Sequence, residues 1–507
     1  MATSRNNDAG APDKRSRAAR VPSLGPVTLG PSRRLNTAAS ARANGCAMGA
    51  AIGDALGAPF EFGPAGAFSK RYPDPVLGGL GEMQGGGTFG WAAGEFTDDT
   101  QMAIALAESL IENNGFSPED LWARWRTWAE AAADVGITTS AALRSVVHQG
   151  AAAAAHDEIG RSAGNGAAMR VWPIGLAAAA REEGAALVRR VAYAQGALTH
   201  FEADAAWGAV LVAETIRGLI VGDSLDDALD GAVGLLAPTA AELFADLVSA
   251  DWHPGIHGAP SNGSVWGCVA QAVWAVRSSD DFTGALRLAI DLGGDTDTVA
   301  SVAGALAGAR YGVQAIPSRW ATYLHGRLQA GGSEATYRRA ELLRLSRALS
   351  GGSAPRQAEW EDSAGPTEVA DRLLAASLPG AAEFVAAGGA ALDEYAVLSL
   401  CRVDGAFDEV PVRREVHLYD NNGNDRLGVV VADCVDTIDA WLEEGRRVIV
   451  HCHGGRSRTA LILKAWFMRA NGAEHSAAQA WLRERWPRME EWTTSFNDFL
   501  EHDWMDS

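Results

Sequence analysis

The chain has 507 residues and a formal charge of −20, because 63 Asp and Glu outnumber 43 Lys and Arg. That surplus of acidic residues argues against a protein that wraps nucleic acid, since phosphate contacts need clustered cations. Hydrophobic residues make up 47% of the chain and charged residues 21%, which excludes wholesale disorder. The length suggests roughly two to four domains, or one large domain with a smaller one.

The five cysteines are scattered and form no CxxC pair. This argues against a disulfide framework or a zinc site and fits a reducing compartment. The longest segment without Asp, Glu, Lys or Arg, residues 252–276, begins as a loop rich in His, Pro and Gly and is not expected to span a bilayer. No secretory signal is recognisable. We therefore expect a soluble, cytoplasmic protein with neither membrane nor nucleic acid as a partner.

Residues 1–40 are predicted to be a disordered basic tail, because they are rich in Arg, Pro, Gly and Ser and contain no apolar core. From residue 41 to residue 349 apolar side chains recur at helical spacing; Trp122, Trp125 and Trp128, for example, repeat every three residues. Convincing alternating strands are absent from this part of the sequence. The pattern predicts one large all-α domain with these tryptophans in its core.

Residues 350–366, SGGSAPRQAEWEDSAGP, are predicted to be a linker that leaves the geometry of its flanking domains free. In residues 367–507, short runs rich in Val, Ile and Leu at Tyr395–Leu400 and Val448–Val450 have the composition of buried strands. The predicted helices that alternate with them are Gly428–Glu444, Arg458–Ala470 and Ser476–Trp486. Such alternation predicts a smaller α/β domain with a parallel sheet.

Two short segments of the first domain, Thr97–Thr100 and Asp295–Thr298, place carboxylates beside hydroxyls. Each precedes a predicted helix, Gln101–Asn113 or Val299–Tyr311. Such residues cap helices by accepting hydrogen bonds from free N–H groups and by matching the helix dipole. Capping needs one such residue, however, whereas each segment supplies several, and neighbouring carboxylates favour a cation. The spacing alone leaves capping and metal binding open.

Five motifs follow one another in the first domain: GAAIGDALGAPFEF, GEFTDDTQM, GRSAGNGAAMRVWPIGL, ALTHFEADAAWGAVL and DLGGDTDTVASVAGALAGARYG. In this order they resemble the ADP-ribosylglycohydrolase family, over about residues 41–325. The resemblance implies a compact all-α fold with two Mg²⁺ or Mn²⁺ ions in a cleft, and ligands that are all oxygen suit such hard ions. The metal ligands implied by it are Thr97, Asp98, Asp99, Asp295, Asp297 and Thr298.

The same resemblance implies roles for residues around the metals. Glu61, in the PFEF segment, corresponds to the family's mobile glutamate beside the ribose and is a candidate acid or base. Asp54, in GDALG, is expected to support the site or the turn. A loop that cradles the diphosphate and adjoining ribose, where glycines allow close approach, would comprise Ser162, Gly164, Asn165 and Gly166. His200 matches a ligand-side histidine, although a structural histidine at a helix end fits equally well.

In the second domain, VIVHCHGGRSRT at Val448–Thr459 indicates a strand, a tight loop and a helix. A loop with a Cys, five further residues and an Arg can surround one oxyanion, because successive N–H groups and a helix N-terminus point inward. The guanidinium of Arg458 can donate hydrogen bonds to two oxygens of that anion. The same positive field favours a thiolate at Cys452, which can accept a phosphoryl group and split hydrolysis into two steps. The residues predicted to line this loop are His453, Gly454, Gly455, Arg456 and Ser457.

This segment resembles the signature of protein tyrosine and dual-specificity phosphatases, and the likeness extends over about residues 367–505. The resemblance implies that Thr459 assists the second step and that an Asp on an upstream loop protonates the leaving oxygen. Asp420, in HLYDNNGND, lies 32 residues before the cysteine and is the predicted acid. Asp425 is the alternative, and an Asx turn in this loop would explain either residue without catalysis.

Together these features predict a bifunctional hydrolase. One domain would cleave an ADP-ribosyl N- or O-glycosidic bond with two divalent ions, and the other would hydrolyse a phosphate monoester through a cysteine without a metal. The expected substrates are an ADP-ribosylated protein or small ADP-ribosyl conjugate, and a phosphorylated protein or small phosphomonoester. The alternative is a regulatory binding module, in which one domain recognises modified targets without turnover.

Overall fold

The computed structural model describes residues 25–257, 261–330, 333–352 and 363–506. Residues 1–24 of the predicted tail and residues 353–362 of the predicted linker lie outside this range. In the described residues, no helix combines the length and the apolar composition needed to cross a bilayer.

The first domain is helical, as the apolar periodicity predicts. Its helices are α1 (Thr37–Gly57), α2 (Ala67–Arg71), α3 (Asp98–Glu112), α4 (Pro118–Ala129), α5 (Ile137–Leu143), α6 (Ala151–Ile159), α7 (Gly166–Met169), α8 (Trp172–Ala179), α9 (Gly184–Thr199), α10 (Ala203–Val221), α11 (Leu225–Gly234), α12 (Pro238–Leu247), α13 (Val265–Arg277), α14 (Phe282–Ile290), α15 (Thr296–Tyr311), α16 (Ser318–Ala321) and α17 (Arg339–Leu349). Trp122, Trp125 and Trp128 on α4 are buried, which confirms that they belong to the core.

Two antiparallel strand pairs accompany these helices, which the sequence does not predict. They are β1 (Val27–Thr28) with β2 (Gly115–Phe116), and β3 (His325–Ala330) with β4 (Ser333–Arg338). Strand β1 and the start of α1 fall inside the range assigned to a disordered tail, so the ordered chain begins earlier than predicted. The physical reason is that Val27 and Leu29 are apolar side chains that become buried against the first domain.

Helices α1 and α15 approach each other closely through glycines that recur every four residues along one face of α1. A Cβ atom added to Gly49 would lie 2.1 Å from the carbonyl oxygen of Gly304, and one added to Gly53 would lie 1.9 Å from that of Ala300. At the end of the contact, the hydroxyl of Thr296 donates a 2.8 Å hydrogen bond to the carbonyl of Gly57. The backbones therefore touch where only hydrogen atoms fit between them, and this contact brings the start of α15 against the end of α1.

The second domain is a smaller α/β unit, as predicted. Its strands are β5 (Thr367–Ala370), β6 (Leu373–Ser377), β7 (Tyr395–Ser399), β8 (Val412–Glu415) and β9 (Arg447–Cys452), and its helices are α18 (Leu378–Gly388), α19 (Leu427–Glu443), α20 (Ser457–Asn471), α21 (His475–Arg485) and α22 (Thr494–His502). The strand order is β5-β6-β9-β7-β8. Four strands are parallel, but β5 pairs with β6 in antiparallel fashion, so the sheet is mixed rather than purely parallel.

The central strand β9 carries the candidate nucleophile at its carboxyl end. Val448 and Val450 pack into a cluster with α19 and α20, whereas Ile449 packs into a second cluster with α18 on the other face. The strand is therefore covered on both sides, as the uninterrupted apolar run VIV suggests. This burial fixes the position at which the chain leaves the sheet after Cys452.

The two domains dock along β8, which is the edge strand of the sheet. The Tyr323 hydroxyl accepts a 3.1 Å hydrogen bond from the N–H of Arg413, and the Thr322 hydroxyl accepts one of 3.0 Å from the N–H of Glu415. Side chains of the first domain thus satisfy the outward N–H groups that an edge strand leaves open. The prediction that the linker leaves the relative geometry of the domains free does not hold in the described residues.

Candidate active sites

The first site forms where the N-termini of α3 and α15 meet the C-terminal part of α1. Asp54, fully buried on α1, accepts hydrogen bonds from the N–H groups of Thr97 and Thr100 at 2.9 and 3.1 Å, and from the Thr100 hydroxyl at 2.6 Å. Asp54 therefore caps α3 from a different helix. Asp98 and Asp99 are not needed as caps and remain available for other contacts.

The predicted metal ligands of the two segments come together across this junction. The hydroxyl of Thr298 on α15 donates to Asp99 Oδ2 at 3.2 Å, and the N–H of Thr298 donates to Asp297 Oδ1 at 2.9 Å. The other oxygen of Asp99 is buried and has no protein hydrogen-bond partner. Both helices begin three residues before their predicted starts, because the acidic residues themselves form the first turns, where the helix dipole favours them.

Burial and mutual repulsion raise the pKa of the carboxylates in this cluster. The pKa values of Asp98, Asp99 and Asp297 are well above the ordinary value, first because the groups are buried and then because other carboxylates surround them. A divalent cation would relieve both penalties. The donor atoms are all oxygens, so the residues fit Mg²⁺ or Mn²⁺.

Glu61 lies beside this cluster together with a residue that sequence reasoning missed, Asp134. Carboxylate oxygens of Glu61, Asp134 and Asp297 lie within 4.8 Å of one another. Burial, followed by the charges of Asp134, Asp295 and Asp54, raises the pKa of Glu61 to about 8. Asp134 lies in the segment after α4, and its only signal in the sequence is that it is the single charged residue between positions 131 and 143.

The backbone around Glu61 is strained. Phe62 has a φ of 62°, in the left-handed region that a residue with a bulky side chain rarely adopts, and its ring is 67% exposed. The N–H of Phe62 donates to the carbonyl of Gly294 at 2.6 Å. This bond ties the segment that carries Glu61 to the loop immediately before Asp295.

The predicted glycine loop lies beside Asp295 and His200. The Asn165 amide donates to Asp295 Oδ2 at 2.8 Å, so it holds a predicted metal ligand. A Cβ atom on Gly164 or on Gly166 would lie 3.3 Å from the His200 ring, which shows how closely the loop packs on that histidine. Burial, and then Arg170, lowers the pKa of His200 to about 3, so its imidazole is neutral and packs against the loop.

Ser162 lies next to this loop, but its polar groups are already engaged. Its hydroxyl accepts a 3.0 Å hydrogen bond from the N–H of Glu202 and lies 2.9 Å from His156 Nδ1. The side chain is 1% exposed. The structure therefore places Ser162 beside the loop, but its hydroxyl is used in hydrogen bonds within the protein.

The second site is the loop between β9 and α20. Cys452, which is 2% exposed, is the last residue of β9 and directly precedes this loop, and Ser457 and Arg458 follow it as the first two residues of α20. Gly455 has a φ of 67°, and a Cβ atom there would lie 2.6 Å from the carbonyl of Ala376 on β6. Only glycine can make this turn, which lets the loop close over the end of the sheet.

Arg458 and Asp420 face each other at this loop. Arg458 Nε lies 3.5 Å from Asp420 Oδ2, and Arg458 also donates to the carbonyl of Leu400 at 2.8 Å. Asp425 lies elsewhere, since its charge acts on Arg42 of α1 in the first domain. The arrangement favours Asp420 over Asp425 as the acid.

Thr459 and His451 flank the nucleophile. The Thr459 hydroxyl is fully buried at the start of α20 and has no protein hydrogen-bond partner. His451 Nε2 lies 2.7 Å from the hydroxyl of Ser399 on β7, and burial lowers its pKa to about 3. His451 is thus a neutral histidine that ties β9 to β7. His453 and Arg456 lie in the loop itself, and Arg456 forms a close ion pair with Glu490.

A sequence model of the family described as ADP-ribosylglycohydrolase matches residues 35–359, and a model of the dual specificity phosphatase catalytic domain matches residues 413–501. The chain is 31% identical over 288 residues to the ADP-ribosyl-(dinitrogen reductase) glycohydrolase of Rhodospirillum rubrum, which covers 56% of this chain and 90% of that protein. It is 31% identical over 301 residues to the ADP-ribosylarginine hydrolase Tri1 of Pseudomonas putida, covering 58% and 75%.

Two solved structures are similar to parts of the chain. An ADP-ribosylglycohydrolase-related protein complex has 32% identity and a TM-score of 0.46, with 62% of this chain and 99% of that chain covered. Human DUSP28 has 20% identity and a TM-score of 0.25, with 28% and 97% covered. The family model matches more than half of the sequence. The chain belongs to the ADP-ribosylglycohydrolase family and carries a dual-specificity phosphatase domain after its glycohydrolase domain.

Proposed function

We propose that this hydrolase is bifunctional, with the acidic cluster cleaving a glycosidic bond to ADP-ribose and Cys452 cleaving a phosphate monoester. The observation that carries the first half is the convergence of two helix N-termini that leave Asp99 with a buried, unpartnered oxygen. Two Mg²⁺ or Mn²⁺ ions held by the six predicted ligands would supply electrostatic stabilisation of the ribose hydroxyls and an activated water.

In the glycohydrolase site, Glu61 and Asp134 are the groups that move protons. Glu61 lies beside Asp134 and Asp297, and in the metal-free site its pKa is raised to about 8 by burial and by neighbouring carboxylates, so it is the group suited to exchange a proton with the departing atom. Asp134, within 4.8 Å of it, is suited to receive a proton from the attacking water. Asn165 and Asp54 orient Asp295 and the α3 segment through the hydrogen bonds described above. The glycine loop offers backbone N–H groups to the diphosphate.

In the phosphatase site, Cys452 attacks phosphorus while Arg458 and the loop N–H groups hold the oxygens. As the S–P bond forms and the P–O bond breaks, Asp420 gives its proton to the leaving oxygen. Water then attacks the thiophosphate, Asp420 takes up the proton of that water, and the thiolate leaves with help from the Thr459 hydroxyl. No metal is needed in either step.

The curated relatives named above act on ADP-ribosylated arginine or dinitrogen reductase, and we propose that this chain acts on an ADP-ribosyl conjugate of the same general class. The test is to incubate metal-loaded protein with defined arginine, serine and small-molecule ADP-ribosyl conjugates and to identify the products by mass spectrometry. Stoichiometric binding with no product from either domain would establish the binding-module alternative and overturn the proposal.

The two activities should respond to opposite inhibitors. A chelator is expected to stop release of ADP-ribose and to spare hydrolysis of an aryl phosphate, whereas vanadate or thiol alkylation should do the reverse. Cys452→Ser should abolish phosphate release and still bind the phosphomonoester. Loss of both activities on chelation would show that the metal site also supports the phosphatase domain.

A further inference from the structure

Residues Glu490–Thr493, which we call the acid clamp, connect the cysteine loop with Asp420. Trp492 Nε1 donates to Asp420 Oδ1 at 3.1 Å, and the Thr493 hydroxyl lies 3.2 Å from the same oxygen. On the other side, Glu490 pairs closely with Arg456 of the cysteine loop. One short segment thus contacts both the loop that binds phosphate and the residue that supplies the proton.

The acid clamp is anchored to α20 by a buried lysine. Lys464 is 1% exposed, and its ammonium group forms a close ion pair with Glu491 and donates to Asn497 Oδ1 at 2.9 Å. Its third contact is His475 Nε2 at 3.1 Å. Breaking a buried and fully partnered ion pair is costly, so Glu491 is held firmly. Trp492 and Thr493 follow Glu491 directly, so this anchor lies next to the two residues that contact Asp420.

We propose that Trp492 and Thr493 are positioning residues that select which oxygen of Asp420 carries the transferable proton. Both donors contact Oδ1, which leaves Oδ2 to carry the proton that is transferred. Oδ2 is the oxygen that lies 3.5 Å from Arg458 Nε, on the side of the phosphate-binding loop. As the P–O bond of the substrate breaks, the proton passes from Oδ2 to the leaving oxygen. The inference deepens the phosphatase half of the proposed function and rests on it.

The test compares two substrates whose need for an acid differs. An activated substrate, p-nitrophenyl phosphate, has a leaving group that departs without a proton, whereas phenyl phosphate needs one. In the full-length chain, Trp492→Phe removes the indole N–H and keeps an aromatic ring, and Thr493→Val removes the hydroxyl at nearly constant shape. Each variant is expected to lose about 10-fold in kcat on phenyl phosphate and to keep nearly full activity on p-nitrophenyl phosphate.

A matched control is Trp466→Phe, which also removes an indole N–H that donates to a carboxylate, here Asp439 Oδ1 at 2.8 Å, between α20 and α19. It should leave the ratio of the two rates unchanged. Equal losses on both substrates in Trp492→Phe and Thr493→Val, or no loss on phenyl phosphate, would overturn the positioning role. If wild type and Cys452→Ser are equally inactive on both substrates, the phosphatase function fails first and the positioning role fails with it.

Discussion

Glu61 and Asp99 each keep one buried carboxylate oxygen that has no protein hydrogen-bond partner. Around them, Asp98 and Asp297 carry pKa values that burial raises. Carboxylates in such an environment hold protons more tightly in the folded than in the unfolded chain. The folded protein is therefore more stable whenever these carboxylates bind a proton or a cation. This dependence allows the site to be tested without a substrate.

The metal-free protein should lose stability as the pH rises. The pKa of Glu61 is raised from the ordinary value of 4.5, which applies to the unfolded chain, to about 8 in the folded chain. Between these two pH values only the folded state binds the proton. The contribution of this proton to stability therefore falls as the pH rises and is lost once the pH passes about 8. Divalent cations replace the protons, so the difference between the Tm with Mg²⁺ and the Tm with chelator should grow over this pH window. Thermal unfolding at several pH values measures it, and a difference independent of pH would contradict the expectation.

Glu61→Gln should separate metal binding from chemistry. The amide keeps the size of the side chain but cannot donate or accept the reacting proton, so the rate of ADP-ribose release should fall by about 100-fold while the metal content is unchanged. Asp98→Ala is the matched comparison, since it removes a predicted ligand and should lose metal and activity together. Full activity in Glu61→Gln, with metal bound, would show that it is not the acid.

At the residue scale, the sequence predicts the site wherever chemistry-bearing residues are adjacent. Asp98 and Asp99, or Cys452 with its loop, are recognisable because a single turn or loop carries them. Asp134 escapes such reasoning because it stands alone in an uncharged segment and reaches the cluster only through tertiary packing. The engagement of Ser162 by Glu202 and His156 is equally invisible, since the partners come from two other segments.

Among the elements, the contact between α1 and α15 should tolerate no added atom. Gly49→Ala would place a methyl group 2.1 Å from a backbone oxygen, which forces the helices apart and should cost about 3 kcal/mol of unfolding free energy. The variant should also bind metal more weakly, because Asp54 and Asp297 lie on the separated helices. Denaturant unfolding and metal titration measure the two effects.

Gly231→Ala on α11 is the control, because nothing lies within 4 Å of the added Cβ. There, replacing a helical glycine by alanine should stabilise the protein by about 0.5 to 1 kcal/mol. A similar destabilisation in both variants would show that helix propensity, rather than the close contact, governs Gly49.

The helices and the central strands were predictable, whereas the outer strands were not. The run VIV of β9 has the composition of a strand covered on both faces, but β8 reads VRRE and has no apolar alternation. Arg414 of β8 is nonetheless 1% exposed, because it donates to the carbonyl of Leu77 and stacks near Tyr323 of the first domain. The reason why β8 is buried thus lies in the first domain, and the sequence of β8 alone cannot reveal it.

For the whole molecule, the docking along β8 predicts that the second domain is incomplete alone. A fragment of residues 367–507 exposes the N–H groups of Arg413 and Glu415 that Thr322 and Tyr323 otherwise satisfy. Exposed edge strands pair with one another, so the fragment should self-associate more than the full chain does. Light scattering coupled to size-exclusion chromatography measures this at equal molar concentration.

Arg413→Pro in the same fragment is the control. It removes one outward N–H group from the edge, where proline is tolerated because the ladder to β7 does not use that group. The variant should associate less than the unmodified fragment. Association that is unchanged by Arg413→Pro would mean that another surface of the fragment is responsible.

The pairing of α1 with α15 also determines when the acidic cluster can form during translation. The bonded residues Gly57 and Thr296 are 239 positions apart, so α1 leaves the ribosome long before its partner exists. At a ribosomal rate of about 5 to 20 residues per second, the delay is about 10 to 50 s. During that time the glycine face of α1 has nothing to pack against. The acidic cluster can therefore be completed only after translation has passed the start of α15, which carries Asp297 and Thr298.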